Sequence, residues 1–261
     1  MKRVIFHLAV ALFLCYACDT KKPAAQDAVV EVNPALPGFD AAGSDQKAID
    51  IADDVMASMG GRPSWDAMGT LSWNFLGARK LVWDKPSGKV RIDNLREVSP
   101  LETLIVNLKD TSDVQLKMNG EVITQPDSLQ KYGKMGRAIW INDSYWIVMP
   151  FKLKDSGVTL KYVKEDTTDV GESAHILQLT FTDVGNTPQN KYEVAVSKER
   201  KLVTQWAFYR EKDQEEPLFT TPWDDYKDYN GLLLASNRGM RTISEISVTD
   251  SPPSGIFDIQ N

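Results

Sequence analysis

From Trp65 onward, apolar and polar residues alternate in short runs separated by turn residues, and this period of two commits most of the chain to β-strands. Successive side chains of a strand point to opposite faces, so each run has an apolar face that must be buried. The runs fall at 70–76, 79–84, 89–94, 104–108 and 114–118, then at 158–163, 175–182, 192–197, 202–209, 219–223, 232–236 and 242–248. Lys85-Pro86-Ser87-Gly88 carries Pro and Gly where a type I turn wants them. Asn119-Gly120 is a type I′ hairpin signal, because both of its central positions need positive φ. The pattern predicts about eleven antiparallel strands, and a sheet of that size curls.

Two helical segments interrupt the strands. Ser44 is placed to cap a helix over 45–59, in which Ala48, Ile49, Ala52, Val55, Met56 and Met59 recur at helical spacing before Gly60-Gly61. That face packs on the domain core or takes a partner. A second helix starts from Asp127 or Ser128 and runs toward Asn142, weakened by Gly133 and Gly136, and Pro150 stops regular structure. The expected fold is mainly β with helices (α+β): a large curved antiparallel sheet or unclosed β-barrel of about eleven strands, covered by two or three helices. If the helices do not fill the trough, an apolar cavity is left.

The first residues read as an export signal. Lys2 and Arg3 precede an apolar run over 4–14, long enough for a signal peptide and too short for about 30 Å of hydrocarbon. Ala17-Cys18 then resembles the lipobox of bacterial lipoproteins, whose cysteine is diacylated, although Tyr16 is bulky for its place and Cys15 stands where Leu is typical. The alternative is an ordinary secretory signal with incidental cysteines. The division expected is a signal peptide at 1–17, lipidated Cys18 with a flexible Pro-containing tether at 18–43, and a single domain at 44–261. Cys15 and Cys18 are the two cysteines of the chain, so the domain has no disulfide and no cysteine nucleophile or zinc ligand.

Charge narrows the partners. Thirty basic and 36 acidic residues give −6, and loss of Lys2 and Arg3 with the signal takes the mature chain to −8. An acidic surface argues against nucleic acid, which needs clustered Lys and Arg to neutralise phosphates. It also argues against docking to anionic head groups by charge.

Several segments resemble a known family. Trp73-Asn74-Phe75 with 79–84, Trp140-Ile141-Asn142-Asp143-Ser144-Tyr145-Trp146 with 149–158, and Asp228-Tyr229-Asn230-Gly231 with 243–248 are similar to an uncharacterised lipoprotein family of Bacteroidetes-type bacteria. That family is in turn similar to the outer-membrane lipoprotein carriers (LolA/LolB-like). The resemblance spans 44–257. It implies an unclosed β-barrel with helices as a lid, whose lining holds acyl chains or another apolar molecule. The tether and anchor resemble the membrane-bound receptor type rather than the soluble shuttle.

The candidate lining is aromatic: Trp73, Phe75, Trp83, Trp140, Trp146, Trp206 and Phe208, each of which either contacts a ligand or packs as core. Met149, Phe151 and Leu153 belong to a loop too apolar for solvent, which is buried or stands at the mouth of a cavity. Residues 223–229 mix carboxylates and aromatics, as a sugar platform, a weak calcium site or a solvated turn would. His175 is the sole histidine after the signal, and no triad, metal site or phosphate-binding glycine loop is recognisable.

The chain is therefore expected to be a non-enzymatic outer-membrane lipoprotein of the cell envelope, without cofactor or metal. It would bind a hydrophobic ligand (lipid or acyl chain) in its concave face for transport or sensing. The alternatives are a glycan- or protein-binding surface module with a filled core, and a carboxylate-dependent hydrolase. Cys18→Ala should abolish palmitate incorporation and move the protein from the detergent phase to the aqueous phase on partition, because each buried acyl CH₂ contributes about 0.8 kcal/mol to anchoring. Unchanged labelling would contradict the anchor.

Overall fold

A computed structural model describes residues 32–97 and 99–259; Cys18 and the signal lie outside them. The described residues form fourteen strands in two antiparallel sheets with three α-helices, and neither sheet closes into a barrel. The elements in order are α1 (Gln46–Ser58), α2 (Gly61–Ala67), β1 (Thr70–Phe75), β2 (Arg79–Asp84), β3 (Lys89–Asn94), β4 (Leu101–Asn107), β5 (Val114–Met118), β6 (Glu121–Ile123) and α3 (Pro126–Val148). There follow β7 (Val158–Thr167), β8 (Ser173–Phe181), β9 (Lys191–Ser197), β10 (Val203–Tyr209), β11 (Phe219–Pro222), β12 (Asp224–Tyr229), β13 (Leu232–Arg238) and β14 (Arg241–Thr249).

The nine-stranded sheet runs β12-β13-β14-β1-β2-β3-β4-β5-β6, and the five-stranded sheet runs β11-β10-β9-β8-β7. Hairpin connections dominate, as the turn signals predict. Asn119 and Gly120 have φ of 50° and 80°, as a type I′ turn requires. The chain passes from one sheet to the other at Trp223, between β11 and β12; this residue is fully buried and its backbone N–H donates to the Thr204 carbonyl. A single residue thus makes the corner of the curved β-layer.

Two strands escaped the sequence reading. Residues 224–229, read as part of a solvated turn, form edge strand β12, and 121–123 form edge strand β6. Neither alternates apolar with polar, because an edge strand facing water needs no apolar face, and charge there discourages pairing with another chain. The five-stranded sheet protects its β7 edge differently. The Asp40 and Asp45 N–H groups donate to the Val158 and Leu160 carbonyls, while Ser44 Oγ and an Asp45 carboxylate oxygen accept the Leu160 and Tyr162 N–H groups. Ser44 therefore does not cap α1, contrary to expectation; Asp45 holds the N-cap position, and both side chains serve the strand edge. Residues 33–43, assigned from sequence to the tether, are held here as well, with Leu36 N–H on Lys154 O and Gly157 N–H on Gly38 O.

Helix α3 is longer than predicted, ending at Val148, and runs straight into a 3₁₀ turn, Met149–Lys152. Pro150 lies in that turn, where its missing N–H costs little. Gly133 and Gly136, which lower helix propensity, let α3 settle onto β4 and β5. A Cβ at Gly136 would meet Leu104 Cδ2 at 2.7 Å and Val106 Cγ1 at 2.8 Å, and one at Gly133 would meet Val114 Cγ2 at 2.8 Å. Leu104 and Val106 are fully buried and have little room to yield.

Gly136→Val should therefore cost about 2 kcal/mol or more through overpacking. That lowers Tm by about 4–8 °C for a domain of this size. Lys134→Ala, on the exposed face of α3, should leave Tm nearly unchanged. Calorimetry on both variants checks this, and equal effects would refute the close seat.

Candidate functional site

The faces of β1 and β10 behave as the alternation requires: Leu71, Trp73 and Phe75 are all buried, and Trp206 lies 3% exposed with Phe208 packed beside it. Trp83 is buried on β2, and Trp140 and Trp146 are partly buried on α3. Met149, Phe151 and Leu153 are buried, because the apolar loop is a 3₁₀ turn folded inward. All ten candidate residues thus belong to one continuous apolar core or pack against it.

The rings form two groups. Trp65 stacks on Phe151 at 4.6 Å between centroids, and Trp83 meets Trp140 edge-on at 5.2 Å. The larger group centres on Trp206, which meets Trp146 edge-on at 4.8 Å, Tyr192 at 5.3 Å, Phe219 at 5.7 Å and Trp223 at 6.1 Å. Phe75 reaches Trp146 from the nine-stranded sheet at 6.1 Å. Trp146 of α3 is therefore wedged between rings of both sheets. Trp65, Tyr192, Phe219 and Trp223 are not among the ten lining candidates; Trp223, which ends the 219–223 run and opens the mixed 223–229 segment, is the residue at the corner.

Polar groups fasten α3 above these rings. Asp143 is fully buried and accepts two hydrogen bonds from Arg79 of β2, at 2.7 and 2.9 Å, and one from Asn142 at 2.9 Å. Burial nonetheless raises the Asp143 carboxyl above its usual range, with the Arg79 and Asn142 hydrogen bonds opposing. Arg238 of β13 donates to the Trp146 carbonyl at 2.6 Å, and also to the carbonyls of Asn237 at 2.7 Å and Ala235 at 3.3 Å. Its guanidinium lies 3.6 Å from the centre of the Trp223 ring, a cation–π contact.

Arg238 is 2% exposed, and among the described residues no carboxylate forms an ion pair with it. Burial pulls its pKa down to about 9, which leaves it cationic at neutral pH. The position was findable: Leu232, Leu234, Ser236 and Arg238 share the buried face of β13. The charge ended the apolar reading two residues too soon.

The interior also lacks acceptors. Among the described residues, nine buried side-chain atoms have no hydrogen-bond partner, including the indole N–H groups of Trp73, Trp83, Trp140, Trp206 and Trp223 and Nε of Arg137 and Arg238. Those seven are donor-only nitrogens. Tyr145 adds a buried hydroxyl without a partner, whose ionisation burial pushes well up.

Two depressions flank this core. One of about 10 Å³, between α1, α2 and the 3₁₀ turn, has room for one water at most. The other, about 500 Å³ and wide open, lies at the β8–β9 and β10–β11 connections, where Phe181 and Pro188 are ringed by Asp183, Glu211, Lys212 and Asp213. Neither is lined by a residue of α3. His175 is partly buried beside Glu165 and Tyr162, and among the described residues no cluster of three or more His, Cys, Asp or Glu could hold a metal. No described helix is long and apolar enough to cross a membrane.

No family model matches the chain, and no curated protein matches it by sequence. Among solved structures it is similar to a domain from Vibrio parahaemolyticus assigned to outer membrane lipoprotein sorting, at 12% identity and a TM-score of 0.42, covering 82% of this chain and 97% of that one. It is likewise similar to a DUF1329 family protein from Desulfovibrio piger, at 13% identity and a TM-score of 0.46, covering 82% and 98%.

The raised carboxyl of Asp143 sets a pH dependence. A carboxyl whose folded pKa lies above its unfolded value favours the folded state most when protonated, so its contribution is full below about pH 4 and declines as pH rises through the folded value. Asp143→Asn keeps the size of the side chain and removes its titration, so the stability difference between the two chains should change with pH. The parent should gain on it as pH falls toward 4. Urea titrations across that range check the sign; a parent that loses ground on acidification would contradict it.

Proposed function

We propose that the chain is a membrane-anchored envelope lipoprotein, without catalytic activity, that holds a hydrophobic ligand between α3 and the concave faces of its two sheets. The observation that carries this reading is the set of buried indole N–H groups without acceptors on the rings beneath and within α3. A core built only for stability pairs its buried polar groups, since each orphan costs about 1–3 kcal/mol. Tryptophans that keep their donors free suit a lining that meets a ligand with oxygen acceptors. The Cys18 anchor and an outer-membrane location belong to the same proposal, for they would place this lining beside a source of acyl chains.

Binding requires α3 to lift, because its rings occupy the trough. The means are present: α3 is held by side-chain contacts, namely the Arg79–Asp143 pair, bonds to carbonyls made by Arg238, Arg137 and Asn186, its ring contacts and the two-glycine seat, and it forms no continuous backbone pairing with either sheet. The competing reading, a glycan- or protein-binding module with a filled core, is favoured by the edge-on packing of the same rings, which stabilises by about 0.5–1.5 kcal/mol per pair.

A disulfide decides between them. Gly133 on α3 faces Val114 on β5 closely enough for a Gly133→Cys, Val114→Cys pair to cross-link. Cys15 and Cys18, outside the domain, are the only other cysteines. With a fluorescent C12 acyl probe, the oxidised pair should bind at least about tenfold more weakly than the reduced pair, a difference of about 1.4 kcal/mol. Equal uptake in both states, or none in either, would overturn admission beneath α3.

A further inference from the structure

We infer that Arg238 is the anchor for the anionic head group of the bound molecule, so that the ligand is an acidic amphiphile and not a neutral hydrocarbon. This rests on the reading of an apolar site beneath α3 and specifies the ligand's chemistry. A guanidinium that is 2% exposed, whose hydrogen-bond partners among the described residues are carbonyl oxygens and which lies on an aromatic face, has no anionic side chain paired with it inside the core. Proteins do not bury a charge this way cheaply; buried charges are normally paired.

What is missing around Arg238 is specific. Its Nε has no partner, and neither do the indole N–H groups of Trp223, on whose ring it lies, and of Trp206, which meets Trp223 edge-on. These three unpartnered donors belong to side chains in successive contact, and an acceptor that also carries negative charge would compensate the guanidinium. A carboxylate or a phosphate is such an acceptor, whereas an alcohol or an ester supplies oxygen without charge.

The position of Arg238 fits the rest of such a molecule. It lies at the end of the buried face of β13, beyond Leu232, Leu234 and Ser236, so an aliphatic tail would follow the apolar face inward from the head group. Its bond to the Trp146 carbonyl occupies a guanidinium nitrogen that an incoming anion would claim. Anion binding and release of the C-terminal turn of α3 would thus be one event.

The test uses the full chain carrying Cys18→Ser, so that no acyl anchor competes for the site. Its tryptophans serve as energy donors to cis-parinaric acid or to the methyl ester of that acid. The acid should bind at least about tenfold more tightly than the ester. Arg238→Met should erase the preference, so that acid and ester bind alike, while Arg238→Lys retains part of it. Displacement by laurate or by dodecyl phosphate, but not by dodecanol, would support the inference and distinguish the two head groups. Equal binding of acid and ester by the parent chain would overturn it while leaving the apolar site standing, and that comparison needs no variant to fold. Binding of neither probe would overturn the apolar site itself.

Discussion

Everything in this molecule turns on how closely α3 approaches the β-layer. Two sheets that curve without closing leave a concave apolar surface, and fourteen strands cannot cover it themselves. A 23-residue helix covers it only if its backbone comes near the strands, which Gly133 and Gly136 permit at some cost in helix propensity. Once seated, α3 inserts Trp146 among rings from both sheets, and the ion pair of Asp143 with Arg79 and the bond from Arg238 fix its position. Stability and access are therefore set by the same contacts.

The second constraint is the polarity of what lies beneath. Large aromatic rings fill volume efficiently, but each indole brings an N–H that water would otherwise satisfy. Among the described residues, seven donor nitrogens of this core have no acceptor, and a guanidinium without a counter-ion is one of the groups they belong to. A filled, purely structural core would be better served by phenylalanine and leucine at the same places. Excess donors and excess positive charge have one remedy in common, a molecule that brings oxygen and negative charge on an apolar body.

Most of the architecture was legible because period two is a direct consequence of burying one face. The hairpins at 85–88 and 119–120 announced themselves through residues that tolerate their backbone angles. What escaped did so for physical reasons. Strand β12 carries charge on both faces because it is an edge, and Ser44 has the chemistry of a helix cap but is recruited by the β7 edge. The ten lining candidates are buried or pack against the core, as size and alternation lead one to expect of large apolar side chains. Arg238 was missed because a charge at an inward position breaks the pattern used to find such positions. Partnership between donors and acceptors is a property of three-dimensional neighbours, and no spacing in the chain encodes it.

The central claim is that the space beneath α3 belongs to a ligand. Native mass spectrometry of the full chain, gently extracted from the membrane in which it is made, tests it most directly. The account predicts a one-to-one complex whose added mass, released on denaturation, is an acidic lipid distinct from the covalent anchor. A spectrum showing the acylated chain alone, unchanged across extraction conditions, would contradict it.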